Sequence, residues 1–200
     1  MKKIGVLAMQ GAFVEHIAAL RRLEAEAVPV RLPREFKGLS ALVIPGGEST
    51  TISKLMREYS LVDELRKLIA KGFPIMGTCA GMILLAKQVR GLKQHTLEVM
   101  DIEVRRNAFG RQVDSFETPL DVPVLGQLPF PAVFIRAPWI EKVGDGVEVL
   151  ASLPDGTSVA VRQGNLIATA FHPELTDDLR FHDYFLSIVN GNPIANADEA

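Results

Sequence analysis

The sequence predicts an α/β fold of three layers. A mostly parallel central sheet lies between helices, and the second half of the chain is antiparallel-rich. Three observations predict it. Continuous apolar runs recur at residues 4–9, 41–44 and 73–76, the pattern of strands buried on both faces. Segments of helical spacing separate them, as helix-covered parallel sheets require. From about Leu97 the strands alternate apolar and polar residues, and Asp155-Gly156 and Gln163-Gly164-Asn165 mark hairpin turns.

In order, the run at 4–9 is the first strand, and Gln10-Gly11 turns the chain into a helix over 13–23 that places Phe13, Ile17 and Leu20 opposite Arg21 and Arg22. Residues 28–32 and 41–45 give the second and third strands. Pro45-Gly46-Gly47-Glu48-Ser49-Thr50-Thr51 follows the third, with Ser49 or Thr50 expected to cap the next helix. A helix over 61–71 leads to a strand at 73–76, and residues 82–87 are a run of helix formers. A strand over 97–104 precedes an arginine-rich loop, and the four prolines between 119 and 131 predict an irregular surface excursion. Strands are expected at 132–136, 147–153, 157–163 and 166–171, then a closing helix opened by Asp177 or Asp178 and stopped by Gly191. With no repeat or linker, residues 1–192 are expected to form one domain and 193–200 a loose tail.

The 200 residues are 48% hydrophobic and 23% charged, with a formal net charge of −2. That balance is globular and offers no electrostatic case for nucleic acid or a membrane surface. A single cysteine excludes an intrachain disulfide and suits a reducing cytoplasm. Met1-Lys2-Lys3 runs straight into a strand pattern that Gln10 and Glu15 interrupt, so neither a signal peptide nor a membrane span is expected. The first strand lacks a following G-x-G-x-x-G, the glycine turn lacks the Walker spacing and lysine, and neither H-E-x-x-H nor C-x-x-C occurs. Dinucleotide, phosphate-loop and metal chemistry therefore have no motif here.

The cysteine sits in Gly77-Thr78-Cys79-Ala80-Gly81, between a strand and a helix. G-x-C-x-G is the thiol counterpart of the nucleophile elbow: the turn is so tight that residues two away must be small, and it lifts the sulfur to a helix N-terminus that favours thiolate. A lone cysteine also packs well as a small hydrophobe, so its partners decide. Of the four histidines, His16 and His182 fall on helices and His95 in a loop, positions that fit structural or solvated side chains. His172 directly follows a strand, with Glu174 two residues on, and an extended segment projects such positions to one side. Cys79, His172 and Glu174 are thus the candidate nucleophile, base and orienting acid. The N–H groups of Ala80 and Gly47 are candidate oxyanion donors, and Arg106 a candidate grip for a substrate carboxylate.

These strings, with Leu7-Ala8-Met9-Gln10-Gly11, the stretch from Arg106 through Phe109-Gly110-Arg111-Gln112 to Glu117, Phe134-Ile135-Arg136-Ala137-Pro138 and Phe171-His172-Pro173-Glu174, resemble the class I, triad glutamine amidotransferases. Within that class they are similar to the glutaminase subunits of pyridoxal 5′-phosphate synthase. The resemblance implies hydrolysis of L-glutamine to glutamate and ammonia through a thioester on Cys79. It places Gly47, Glu48, Ser49, Arg106, Ile135 and Arg136 around the glutamine and gives Gln10 an accessory place near the oxyanion turn. It implies no cofactor and no metal. It also implies a partner, a (β/α)₈-barrel synthase subunit in a hetero-oligomer that receives the ammonia internally, without which such glutaminases are generally inactive. A glutaminase of another pathway, such as histidine biosynthesis, a related hydrolase and a non-catalytic interaction module are the alternatives.

Overall fold

The computed structural model describes residues 2–91, 94–106 and 115–191. The expected tail at 193–200 and the loop residues Asn107 to Asp114, including Phe109-Gly110-Arg111-Gln112, lie outside them. The chain alternates at first: β1 (Lys3–Leu7), α1 (Phe13–Arg22), β2 (Glu26–Val30), β3 (Ala41–Ile44), α2 (Ser49–Glu58), α3 (Leu61–Ile69) and β4 (Ile75–Thr78). Then follow α4 (Ala80–Leu85), β5 (Ala86–Arg90), β6 (Met100–Arg105), β7 (Ser115–Leu120), β8 (Phe130–Ile135), β9 (Trp139–Val143), β10 (Glu148–Ser152), β11 (Ser158–Gln163), β12 (Leu166–Thr169) and α5 (Arg180–Val189).

The main sheet runs β2-β1-β3-β4-β12-β11-β9-β6-β5, with β10 paired to β11, while β7 and β8 form a separate antiparallel ribbon. From β2 to β12 every pairing is parallel; β11 pairs antiparallel with β12, β10 and β9, and β9 likewise with β6. The chain steps from β1 to β2 in one direction and from β3 to β4 in the other. Right-handed crossovers therefore put α1 on one face and α2 with α3 on the other. α5 packs against α1, and α4 against α2, which completes the expected three layers.

Some boundaries differ from the sequence expectation. The helix-former run ends at Leu85, and β5 begins at Ala86, where edge pairing with β6 takes over from helix propensity. β6 starts at Met100 rather than Leu97. The proline stretch is more regular than expected: Pro119 pairs with Pro131 across the ribbon, and the connection over 121–129 contains a 3₁₀ turn at Pro123–Leu125. A two-stranded ribbon tolerates proline because its outer N–H groups need no partner. Its inner face is anchored by Phe130 and Phe134, which pack with Phe171 and Phe181 at centroid distances of 4.9–5.8 Å.

The elbow is held by two glycines standing back to back. A Cβ on Gly77 would lie 2.7 Å from the Gly81 carbonyl carbon, and one on Gly81 would overlap the Ile44 carbonyl oxygen. Backbone cannot yield as a side chain does. We predict that Gly81→Ala destabilises the fold by about 3 kcal/mol and lowers Tm by roughly 6–12 °C for a domain of this size. An unchanged calorimetric Tm would show that the elbow can open.

Candidate active site

Four neighbouring parallel strands, β1, β3, β4 and β12, end at one sheet edge, where open α/β sheets gather ligands. Gln10 follows β1, Gly46-Gly47-Glu48 follow β3, Cys79 follows β4, and His172 and Glu174 follow β12. Arg106 follows β6, and Ile135 and Arg136 close β8. Between them lies a cleft of about 240 Å³ lined by Cys79, His172, Gln10, Gly47, Glu48, Ser49, Arg106, Ile135 and Arg136, with Ile83 and Pro138 added. Every expected site residue except Ala80 and Glu174 lines it; those two stand behind, Ala80 opening α4 and Glu174 buried beneath His172.

Cys79 has φ +48° and ψ −100°, a conformation that side chains rarely adopt. Its N–H donates to the Thr169 carbonyl at 2.7 Å, which locks the turn to β12. The sulfur lies 4.0 Å from the Ile135 carbonyl oxygen. His172 lines the same cleft as Cys79 and hydrogen-bonds through Nδ1 to Glu174 Oε1 at 2.7 Å. The pair is not extended, as the spacing suggests: Glu174 sits in a 3₁₀ turn over Pro173–Leu175, with His172 at φ −106° and ψ 88°. Proline favours that first turn, and the tighter path carries the carboxylate back under the ring. The His172 backbone N–H donates to Val133 at 2.8 Å, which ties the base to the ribbon.

The glycine turn is built differently from the expectation. Glu48, not Ser49 or Thr50, caps α2: its carboxylate accepts the N–H groups of Thr50 and Thr51 at 3.2 and 2.7 Å. Burial pushes that carboxyl up, but hydrogen bonds from Thr50 and Thr51 outweigh it and hold it at about 2. The longer glutamate reaches the N–H groups from outside the turn and still pairs with Arg106 at 3.1 Å. Ser49 instead donates to Gln94 Oε1 at 3.0 Å. Gln10 Oε1 accepts the Glu48 N–H at 2.7 Å and covers Gly47. A Cβ on Gly46 would strike the His172 ring, so the base itself requires glycine there.

Sequence reasoning missed His16. It is wholly buried, with Nε2 at 3.3 Å from Glu174 Oε2. The one signal was a polar residue on the apolar face of α1, in line with the buried Ala19 and Leu20. His182 is buried beside it, and His95 is exposed.

Burial alone would push His172 down, but its hydrogen bonds to Cys79 and Glu174 and their charges raise it to about 10. Burial likewise pushes Glu174 up, while His16 and His172 hold it below the usual carboxylate value. His172 is thus an imidazolium at neutral pH, a proton donor beside the sulfur. An unfolded imidazole titrates near 6.5, so the stability gained from His172 is whole below about pH 6.5 and is lost as pH rises towards 10. We predict that the stability difference between wild type and His172→Gln, from urea unfolding, shrinks across that window. A difference that stays flat would contradict the charged pair.

The model of the SNO glutamine amidotransferase family matches residues 6–190. A curated relative from Herpetosiphon aurantiacus, named pyridoxal 5′-phosphate synthase subunit PdxT, is 60% identical over 188 residues, covering 92% of this chain and 99% of its own. One of the same name from Dehalococcoides mccartyi is 62% identical over 190 residues, covering 93% and 96%. A crystal structure described as a glutamine amidotransferase superposes with a TM-score of 0.89 at 53% identity, covering 94% of this chain and 98% of that one. PurLQS from Thermotoga maritima, at 18% identity and a TM-score of 0.70, shares the fold alone. With the match spanning almost every element described above, the chain belongs to the SNO glutamine amidotransferase family.

Proposed function

We propose that this chain is the glutaminase subunit of a pyridoxal 5′-phosphate synthase. It hydrolyses L-glutamine to L-glutamate and ammonia and passes the ammonia to a (β/α)₈-barrel synthase subunit in a cytoplasmic hetero-oligomer. The observation that carries it is Cys79 at positive φ in a small cleft, against a histidine hydrogen-bonded to Glu174. Relatives of about 60% identity that bear the name of a synthase subunit support the partner.

In this reading the Cys79 thiolate attacks the side-chain amide carbon, and the new oxyanion is met by the N–H groups of Gly47 and Ala80. Ala80 is the first residue of α4, where an N–H has no acceptor within the helix. The His172 imidazolium gives its proton to the amide nitrogen, the C–N bond breaks, and ammonia leaves a glutamyl thioester. His172, now neutral, takes a proton from water as its oxygen attacks; the C–S bond breaks and glutamate departs. Arg106 faces the substrate α-carboxylate, steadied by Glu48. Gln10 holds the oxyanion turn through the Glu48 N–H. No cofactor or metal takes part.

Glutamate release, measured with and without the barrel partner, tests this. Cys79→Ala and His172→Asn are each expected to abolish partner-dependent turnover; full activity in Cys79→Ala would end the proposal. Arg106→Ala is expected to raise the glutamine KM by about 10- to 100-fold, as loss of a charge-assisted pair does, with kcat nearly unchanged. An equal fall in kcat and kcat/KM would contradict a role in binding alone.

A further inference from the structure

Behind the cleft, α1, α5 and β4 bring together polar groups that the reaction above does not use. His16 and His182 are both fully buried. His16 Nδ1 lies 3.0 Å from His182 Nε2. Its Nε2 lies 3.1 Å from Thr78 Oγ1 and 3.3 Å from Glu174 Oε2. Thr78 Oγ1 also accepts the Gly46 N–H at 3.0 Å. Glu174 Oε2 and His182 Nδ1 are buried and have no hydrogen-bond partner. Among the described residues no group of three or more His, Cys, Asp or Glu could hold a metal ion, so the cluster is a matter of protons.

The tautomers follow from what each arrangement leaves unpaired. If Thr78 donated to His16 Nε2, a bare ring nitrogen would face the carboxylate, and His16 Nδ1–H would donate to His182. The His182 proton would then sit on Nδ1, a buried donor with no acceptor. In the opposite arrangement His182 Nε2–H donates to His16 Nδ1, and His16 Nε2–H points at Thr78 and Glu174. That leaves an unprotonated His182 Nδ1 and the Thr78 hydroxyl proton without partners, but it takes the bare ring nitrogen away from the carboxylate, the costlier of the two juxtapositions. We propose that His16 is a positioning residue for the reaction: its Nε2–H holds the far oxygen of Glu174 opposite His172, and His182 fixes its tautomer. This rests on the glutaminase function proposed above.

The titratable groups facing Glu174 are His172 from its own turn and His16 from α1. Those acting on His16 are Glu174, His172 and Glu15 of α1, and those acting on His182 are His16 and Glu174. Burial, the largest influence, lowers both histidines, His182 to about 3, so they stay neutral where the enzyme works. A neutral N–H favours the carboxylate over the carboxylic acid. Without it Glu174 protonates at higher pH, and the grip on His172 is lost there.

The test compares His16→Leu and His16→Gln with wild type and Cys79→Ala, each with the barrel partner, in glutamate release across pH. His16→Leu is expected to lower kcat by about 10- to 100-fold, the weight of a hydrogen bond to a charged group, with the glutamine KM unchanged. Its acid limb should move to higher pH. His16→Gln, whose amide can donate to the same oxygen, is expected to recover most of kcat and the limb. Wild-type kcat and limb in folded His16→Leu would overturn the inference, as would equal losses in both variants with the limb unmoved. Should His16→Leu not fold, ¹⁵N NMR of the wild-type histidines decides: a neutral His16 ring protonated at Nε2 supports it, and a proton at Nδ1 overturns it. No glutamate release from wild type with its partner would instead sink the glutaminase function and leave the NMR result standing.

Discussion

The chain must leave β4 and enter α4 within one residue, and Cys79 makes that reversal at φ +48°. Such backbone strain costs about 1–3 kcal/mol and persists only where the surroundings enforce it. Here they do: Gly77 and Gly81 close against each other and against Ile44 of β3, and the Cys79 N–H is spent on Thr169 of β12. The strain is therefore held by the strands on either side, in the buried middle of the sheet. Those same strands deliver the glycine turn and the histidine, so one constraint fixes both the sulfur and what faces it.

Charge in the site is arranged in depth. At the surface of the cleft Arg106 and Glu48 compensate each other; beneath, His172 and Glu174 form a buried ionic pair. A buried pair is stable only if its remaining lone pairs meet donors. Behind Glu174 the fold places neutral imidazoles, which offer polarity without adding a second buried charge. The backbone anchor from His172 to Val133 and the aromatic cluster around Phe171 keep the pair from shifting.

Much of this was legible in the chain. Apolar runs located β1, β3 and β4, and the glycines around residue 79 announced a turn that only small neighbours permit. Cys79, Gly47 and His172 with Glu174 stood out because elbow, glycine turn and His-Pro-Glu each carry a local steric reason, whereas Gln10, Glu48, Ser49, Ile135 and Arg136 came only with the family resemblance. Most of what escaped was set by distant contacts. β9 follows Pro138, and its Trp139-Ile140-Glu141-Lys142-Val143, with two adjacent charges, has no clean alternation to mark a strand, yet it pairs between β11 and β6. β7 exists only because β8 lies opposite. Glu48 as a cap is local, two and three residues from the N–H groups it accepts, but glutamate is not among the preferred caps, so Ser49 and Thr50 read as better candidates. His16 against Glu174 depends on where α1 and the turn after β12 come to rest, which spacing along one segment does not encode.

The dimensions of the cleft carry a further consequence. At about 240 Å³ it falls below the roughly 300–1,000 Å³ typical of sites for drug-sized molecules. A volume of that order suits a ligand the size of a free amino acid. A glutamine side chain carried on a polypeptide brings far more bulk to the same opening, so a cleft this small favours the free amino acid over protein-borne amides.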